Sequence, residues 1–110
     1  MPTARVSRGR ATQELTAAWF RERGWPNASS RAASLPGVDI TGMPGLAPEV
    51  KATRGENLTG ALRQAAHNAD IAELPFVVFR PAGYGPARIE EWLVAISLED
   101  FTSLLHGAGL

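Results

Sequence analysis

The chain has 110 residues, 45% of them hydrophobic and 20% charged, with formal net charge +0 and no cysteine. That is one small domain, too apolar for a disordered chain and with no run near the roughly 20 apolar residues that cross a membrane. Lack of cysteine excludes disulfides, thiolate zinc sites and thiol nucleophiles, and with only His67 and His106 a site of several histidines is not expected.

Residues 1–6 are expected to be a loose N-terminus, with a single domain over 7–110. From Ser7 to Arg23, Ala11, Leu15, Ala18 and Trp19 recur at helical spacing, with Ser7 as N-cap and Gly24-Trp25-Pro26 as the stop. Three short extended pieces follow, at Asn27–Ala33, Val38–Thr41 and Glu49–Thr53. The turn Gly42-Met43-Pro44-Gly45 predicts a hairpin between the last two, and Pro48 places the start of the third at or after Glu49. Asn57–Ile71 restores a helical stripe through Leu58, Ala61, Leu62, Ala65, Ala66 and Ala69. LPFVVF, residues 74–79, reads as a strand buried on both faces, and after a glycine-rich loop Arg88–Ile96 reads as another. Ser97-Leu98-Glu99-Asp100 opens a last helix that should turn Phe101, Leu104 and Leu105 inward. The order α-β-β-β-α-β-β-α predicts an α/β fold, a mixed sheet covered by helices.

Charge is unevenly spread. Residues 1–31 hold Arg5, Arg8, Arg10, Arg21, Arg23 and Arg31 against Glu14 and Glu22, whereas from Ile89 onward the only charged residues are Glu90, Glu91, Glu99 and Asp100. A basic N-terminal third suits either an anion-binding face, for nucleic acid, or a solvated helix surface. Ten of the eleven basic residues are arginine, and the single lysine is Lys51.

The segment that carries chemistry is PGVDITGMPGLAPEVKA, residues 36–52. In a strand, side chains two apart share a face, so Glu49 and Lys51 project together while Val50 turns to the core. The hairpin brings Asp39 beside Glu49. Two carboxylates and an ammonium together need a reason, because buried charges are costly unless paired or metal-bound. Hydrolysis of a phosphodiester supplies one: carboxylates hold Mg²⁺ or Mn²⁺, and a lysine orients water or stabilises developing charge. Arginine is a poor substitute there, since it does not give up its proton.

A glutamate in the first helix, then Gly-Val-Asp, then Glu-Val-Lys resembles the PD-(D/E)XK nuclease superfamily. RGRATQEL, PGVDI, PEVKA and LRQAAHNA are most similar to small Holliday junction resolvases of phage and archaeal type, over roughly residues 7–96. The resemblance implies a restriction-endonuclease-like α-β-β-β-α-β core, here with an extra C-terminal strand and helix. It implies that Asp39 and Glu49 are metal ligands with the Val50 carbonyl, that Glu14 reaches the site from the first helix as an additional metal or water ligand, that Lys51 is the catalytic lysine, and that Gln64 lies near that lysine. Pro48, where the family carries an apolar strand residue, departs from the pattern. The expected activity is Mg²⁺- or Mn²⁺-dependent cleavage of branched DNA by a homodimer, with Arg8, Arg10 and Arg31 on DNA phosphates. The absence of an apolar signal core in MPTARVSRGR adds the expectation of a cytoplasmic, membrane-free location in a bacterium or phage-infected cell. Three other readings fit the same residues: a nuclease for flaps, nicks or ends, a non-catalytic DNA- or protein-binding module, and an unrelated α/β interaction protein.

Overall fold

The computed structural model describes residues 4–32, 35–52 and 57–110. Helix α1 spans Ala4–Arg21, so Ser7 lies inside it rather than capping it, and of the expected loose segment residues 1–3 lie outside the described residues. Its buried face is Thr12, Thr16 and Ala17, rotated from the expected stripe, in which Ala11 is exposed. Threonines can occupy that face because their hydroxyls are satisfied. Thr16 Oγ1 donates to the Thr12 carbonyl at 2.8 Å, and Thr12 Oγ1 accepts from Arg80 Nη1 at 2.9 Å.

The extended pieces that follow are shorter than their sequence suggests and differently paired. Strand β1, Ser29–Ser30, runs antiparallel to β2, Ile40–Thr41, with Ser29 opposite Thr41. Gly42 makes this pairing possible: at φ 78° its absent Cβ would stand 1.9 Å from the Asn27 carbonyl oxygen. Ala33 and Thr53, the ends of two expected strands, lie outside the described residues. The expected hairpin ladder is replaced by two bonds between Asp39 and the next strand, described below, while β2 ladders with β1.

Strand β3 spans Leu46–Lys51 and begins ahead of Pro48, against the expected start at Glu49. Proline is tolerated because one residue's N–H and C=O point to the same strand edge. The Pro48 carbonyl accepts from the Asp39 amide at 3.1 Å, so its missing N–H faces away from the neighbour that carries the ladder. That neighbour is β4, Leu74–Phe79, as expected from LPFVVF; it runs parallel to β3, with Glu49 opposite Val77 and Lys51 opposite Phe79. The crossover between them contains α2, Leu58–Asn68, shorter than the expected Asn57–Ile71 and capped by the Asn57 side chain, which accepts from the Gly60 amide. Gly60 permits the cap: a Cβ there would stand 2.9 Å from Asn57 Nδ2.

Beyond β4 the expected strand Arg88–Ile96 resolves into a 3₁₀ helix, Pro86–Glu91, and a short β5, Leu93–Ala95, antiparallel to β4. Proline at the helix start and an Arg88–Glu91 ion pair of 3.0 Å favour the turn over the strand. Helix α3, Leu98–Gly107, has the expected Ser97 cap on the Asp100 amide. Of the side chains expected to turn inward, Leu105 is half-buried, whereas Phe101 and Leu104 are about half exposed.

The element order is the expected one, and the architecture is α/β, with a mixed sheet β3-β4-β5 flanked by helices. Even-numbered residues of β3 and β4 (Val50, Phe76, Val78) meet Ala17, Ile40, Met43 and Trp92 in the main core, while Phe20 packs edge-on to Phe76. The expected core role holds for Trp92 and Trp25; Trp19 instead lies under the Arg23 guanidinium. Among the described residues no helix is long and apolar enough to cross a membrane.

Candidate functional site

Asp39 is fixed through its backbone before its side chain does anything. Its amide donates to Pro48 O at 3.1 Å, and its carbonyl accepts from the Arg31 amide at 2.8 Å and from Gln13 Nε2 at 2.7 Å. The Gln13 amide also donates to the Arg31 carbonyl at 2.6 Å, so one α1 side chain ties the ends of β1 and β2 together. On the other flank Asn68 of α2 donates to the Gly37 carbonyl. Held this way, Asp39 directs Oδ2 to the Val50 amide of β3, at 2.8 Å.

Strand alternation does the rest. Val50 and Pro48 turn their backbone polar groups toward Asp39, which aims the Val50 carbonyl to the same edge as the Asp39 carboxylate. Glu49 and Lys51 project from the opposite face to Val50, and Lys51 Nζ stands 3.4 Å from Glu49 Oε1. Glu49 is buried and Lys51 half-buried. The second carboxylate oxygen of Glu49, Oε2, is buried with no hydrogen-bond partner.

The electrostatics record an unfinished site. Burial, then the Asp39 charge, push the Glu49 carboxyl up to about 7, against the pull of Lys51. Burial likewise raises Asp39, opposed by the Val50 amide and Lys51. Two carboxylates sharing a partly dry position, one with an orphaned oxygen, are what a hard cation relieves. The donor set (Asp39, Glu49 and the Val50 carbonyl, all oxygen) fits Mg²⁺ or Mn²⁺. Among the described residues no cluster of three or more histidine, aspartate or glutamate side chains forms, so the fit rests on two carboxylates and a carbonyl.

Asp39, Glu49 and Lys51 stand between two clefts. One, of about 790 Å³, opens toward α1 and is also lined by Arg10, Glu14 and Arg31. The other, of about 610 Å³, opens toward α2 and is lined by Gln64, His67 and Asn68. Glu14 and Gln64 are thus brought to the site's two rims, both exposed, without joining its center. Arg31 does more than line a rim: its Nη1 donates to Pro36 O at 2.8 Å, while its buried Nε has no partner. Arg8 lies outside both clefts and donates through Nε to the Ala52 carbonyl at 3.1 Å.

Gln13, Asn68 and Arg80 escape the sequence reading. Gln13 and Asn68 act on backbone carbonyls far along the chain, and no spacing rule marks such partners. Arg80 could have been noticed as the one cation next to the buried strand 74–79. Comparison of the chain with protein-family models, with curated proteins and with solved structures yields no match.

Proposed function

We propose that this protein is a metal-dependent endonuclease that hydrolyses phosphodiester bonds in branched DNA, with the four-way (Holliday) junction as its substrate. The observation that carries the reading is the Asp39–Glu49–Lys51 arrangement, with Asp39 locked to the Val50 amide and Glu49 Oε2 buried without a partner. The PD-(D/E)XK resemblance of the same three residues, on an α/β fold with the expected element order, supports it further.

Asp39, Glu49 and the Val50 carbonyl would hold the cation. When bound, a divalent cation neutralises charge on a phosphate oxygen and makes water a stronger nucleophile at neutral pH. Lys51, beside Glu49, is placed to orient the attacking water and to stabilise negative charge developing on phosphate. Glu49, whose carboxyl is pushed up to about 7 by burial and Asp39 while no cation is held, would be ionised by the cation and serve as its ligand. Arg10 and Arg31, on the wall of the α1-side cleft, would hold the phosphate backbone in place, and Glu14 would add a water contact from the rim.

A junction needs two cuts on symmetry-related strands, which one site per chain supplies through a two-fold dimer. The exposed apolar side chains of α3 (Phe101 and Leu104, one turn apart) offer a surface for it. The cytoplasm, where chromosomal and phage DNA recombine, is the corresponding location. Purified protein incubated with four-way junction, flap and linear duplex DNA, with Mg²⁺ or with EDTA, tests the reading. Symmetric metal-dependent cuts in the junction support it; preference for flaps or ends favours a related nuclease that makes single cuts.

A further inference from the structure

Arg80 belongs neither to the site above nor to the solvated surface. It follows β4 directly, and its amide donates to the Lys51 carbonyl at 2.9 Å, so it stands one residue past the lysine at the ends of the two parallel strands. Its side chain goes to the α1 face. Nε donates to the Tyr84 carbonyl and Nη1 to Thr12 Oγ1, each at 2.9 Å, and the guanidinium lies over Trp92 at 5.2 Å. That is a held side chain, not a wandering one.

Arg8 arrives at the same place. It precedes Thr12 by four residues on α1, a separation that puts Cβ atoms about 5–6 Å apart on one helix face. Through Nε it donates to Ala52 O, the residue after Lys51. Two guanidiniums therefore converge at the C-terminal end of β3, and among the described residues no carboxylate pairs with either. Burial lowers the Arg80 pKa, and the charge of Arg8 lowers it further. Two like charges fixed together by neutral partners call for an anion between them.

We propose that Arg8 and Arg80 form a phosphate site for the DNA backbone beside the scissile phosphate, with Arg80 as its rigid half. Resting on the nuclease reading for its ligand, this adds a binding residue that the basic N-terminal third does not contain. It also explains the two buried threonines of α1: Thr12 spends its surface on holding Arg80, and Thr16 accepts the helix position that this imposes. Arginine suits the role because its fork leaves N–H groups for a phosphate after others have bonded to the protein.

Arg80→Gln and Arg8→Gln, each in a Glu49→Gln background that cannot cut, would be titrated against a fluorescent four-way junction over a range of NaCl. Each variant should bind about tenfold more weakly, with the slope of log K against log salt reduced by about one, and the double variant should lose little more because both act on one phosphate. Arg23→Gln removes the same charge from an exposed position paired with Glu22, and should bind as the parent does. A second arm uses inorganic phosphate against chloride at equal ionic strength. Phosphate should raise the melting temperature of the unmutated protein more than that of Arg8→Gln, which keeps only the general stabilisation by an excluded anion, a readout that survives even if Arg80→Gln fails to fold. Parental affinity and slope in both variants, or an equal phosphate effect in Arg8→Gln and the unmutated protein, overturns the site. Failure of the unmutated protein to bind any DNA overturns the nuclease reading instead, and the phosphate arm then decides the anion site by itself.

Discussion

The Val50 amide donates to Asp39 Oδ2 at 2.8 Å, so the strand that presents Glu49 and Lys51 also fixes the carboxylate opposite them. One oxygen of Asp39 is held by this bond, and in the proposed reaction the other would face the cation. Asp39→Asn keeps an acceptor for Val50 and should fold normally yet lose metal-dependent cleavage. Asp39→Ala leaves a half-buried N–H unpaired and should also lose about 1–3 kcal/mol of stability. Urea unfolding separates the two, and equal loss of stability in both variants would contradict the divided role.

Stability should depend on pH through Glu49. The folded protein keeps its proton up to about 7, whereas the unfolded chain releases it near the ordinary value of 4.5. Between these limits the folded state binds more protons, so stability falls as pH rises; Asp39, also raised, acts in the same direction. Without metal, the urea midpoint should be higher at about pH 5 than at about pH 8. Mg²⁺ should narrow that gap by favouring the ionised form, and Glu49→Gln should reduce it to the part due to Asp39 while abolishing cleavage. A metal-free midpoint that rises with pH would reverse the account of this site.

Gln13 holds two carbonyls with one amide group, at Arg31 and Asp39. Gln13→Leu keeps the bulk and removes both bonds, and should destabilise the domain by about 1–3 kcal/mol. Because it displaces Asp39 rather than removing a reacting group, it should lower activity while leaving the metal requirement intact. Full activity with unchanged stability would mean that the β1–β2 ends hold themselves.

How far the sequence was legible follows from which interactions are local. LPFVVF announced β4 because burial on both faces leaves a run without gaps, and Ser97 announced α3 because a cap acts three residues away. Asp39, Glu49 and Lys51 were legible as a group because strand alternation and one turn suffice to bring them together. The rest depended on distant partners. Spacing misplaces the α1 face because Thr12 and Thr16 look polar until Arg80 satisfies the one and the Thr12 carbonyl the other, and it starts β3 late because nothing local says which edge Pro48 presents. The outward turn of Phe101 and Leu104 is equally invisible, since apolar spacing marks a face without saying what covers it.

That outward face predicts association. The protein should scatter light as a dimer at micromolar concentration, and Phe101→Glu with Leu104→Glu should convert it to a monomer without lowering the melting temperature of the separated chain, since neither residue is buried. A monomer that still makes paired cuts would remove the need for this face.

Cleavage of a labelled four-way junction by the protein and by Lys51→Ala, in Mg²⁺ and in EDTA, tests the central claim most directly. Lys51 is half-buried and pairs only with Glu49 among the described residues, so its removal should leave fold and junction binding in place. The account predicts cutting by the unmutated protein in Mg²⁺ alone, and a loss of at least about a hundredfold in Lys51→Ala. Cutting that persists in EDTA, or at the parental rate in Lys51→Ala, would contradict it.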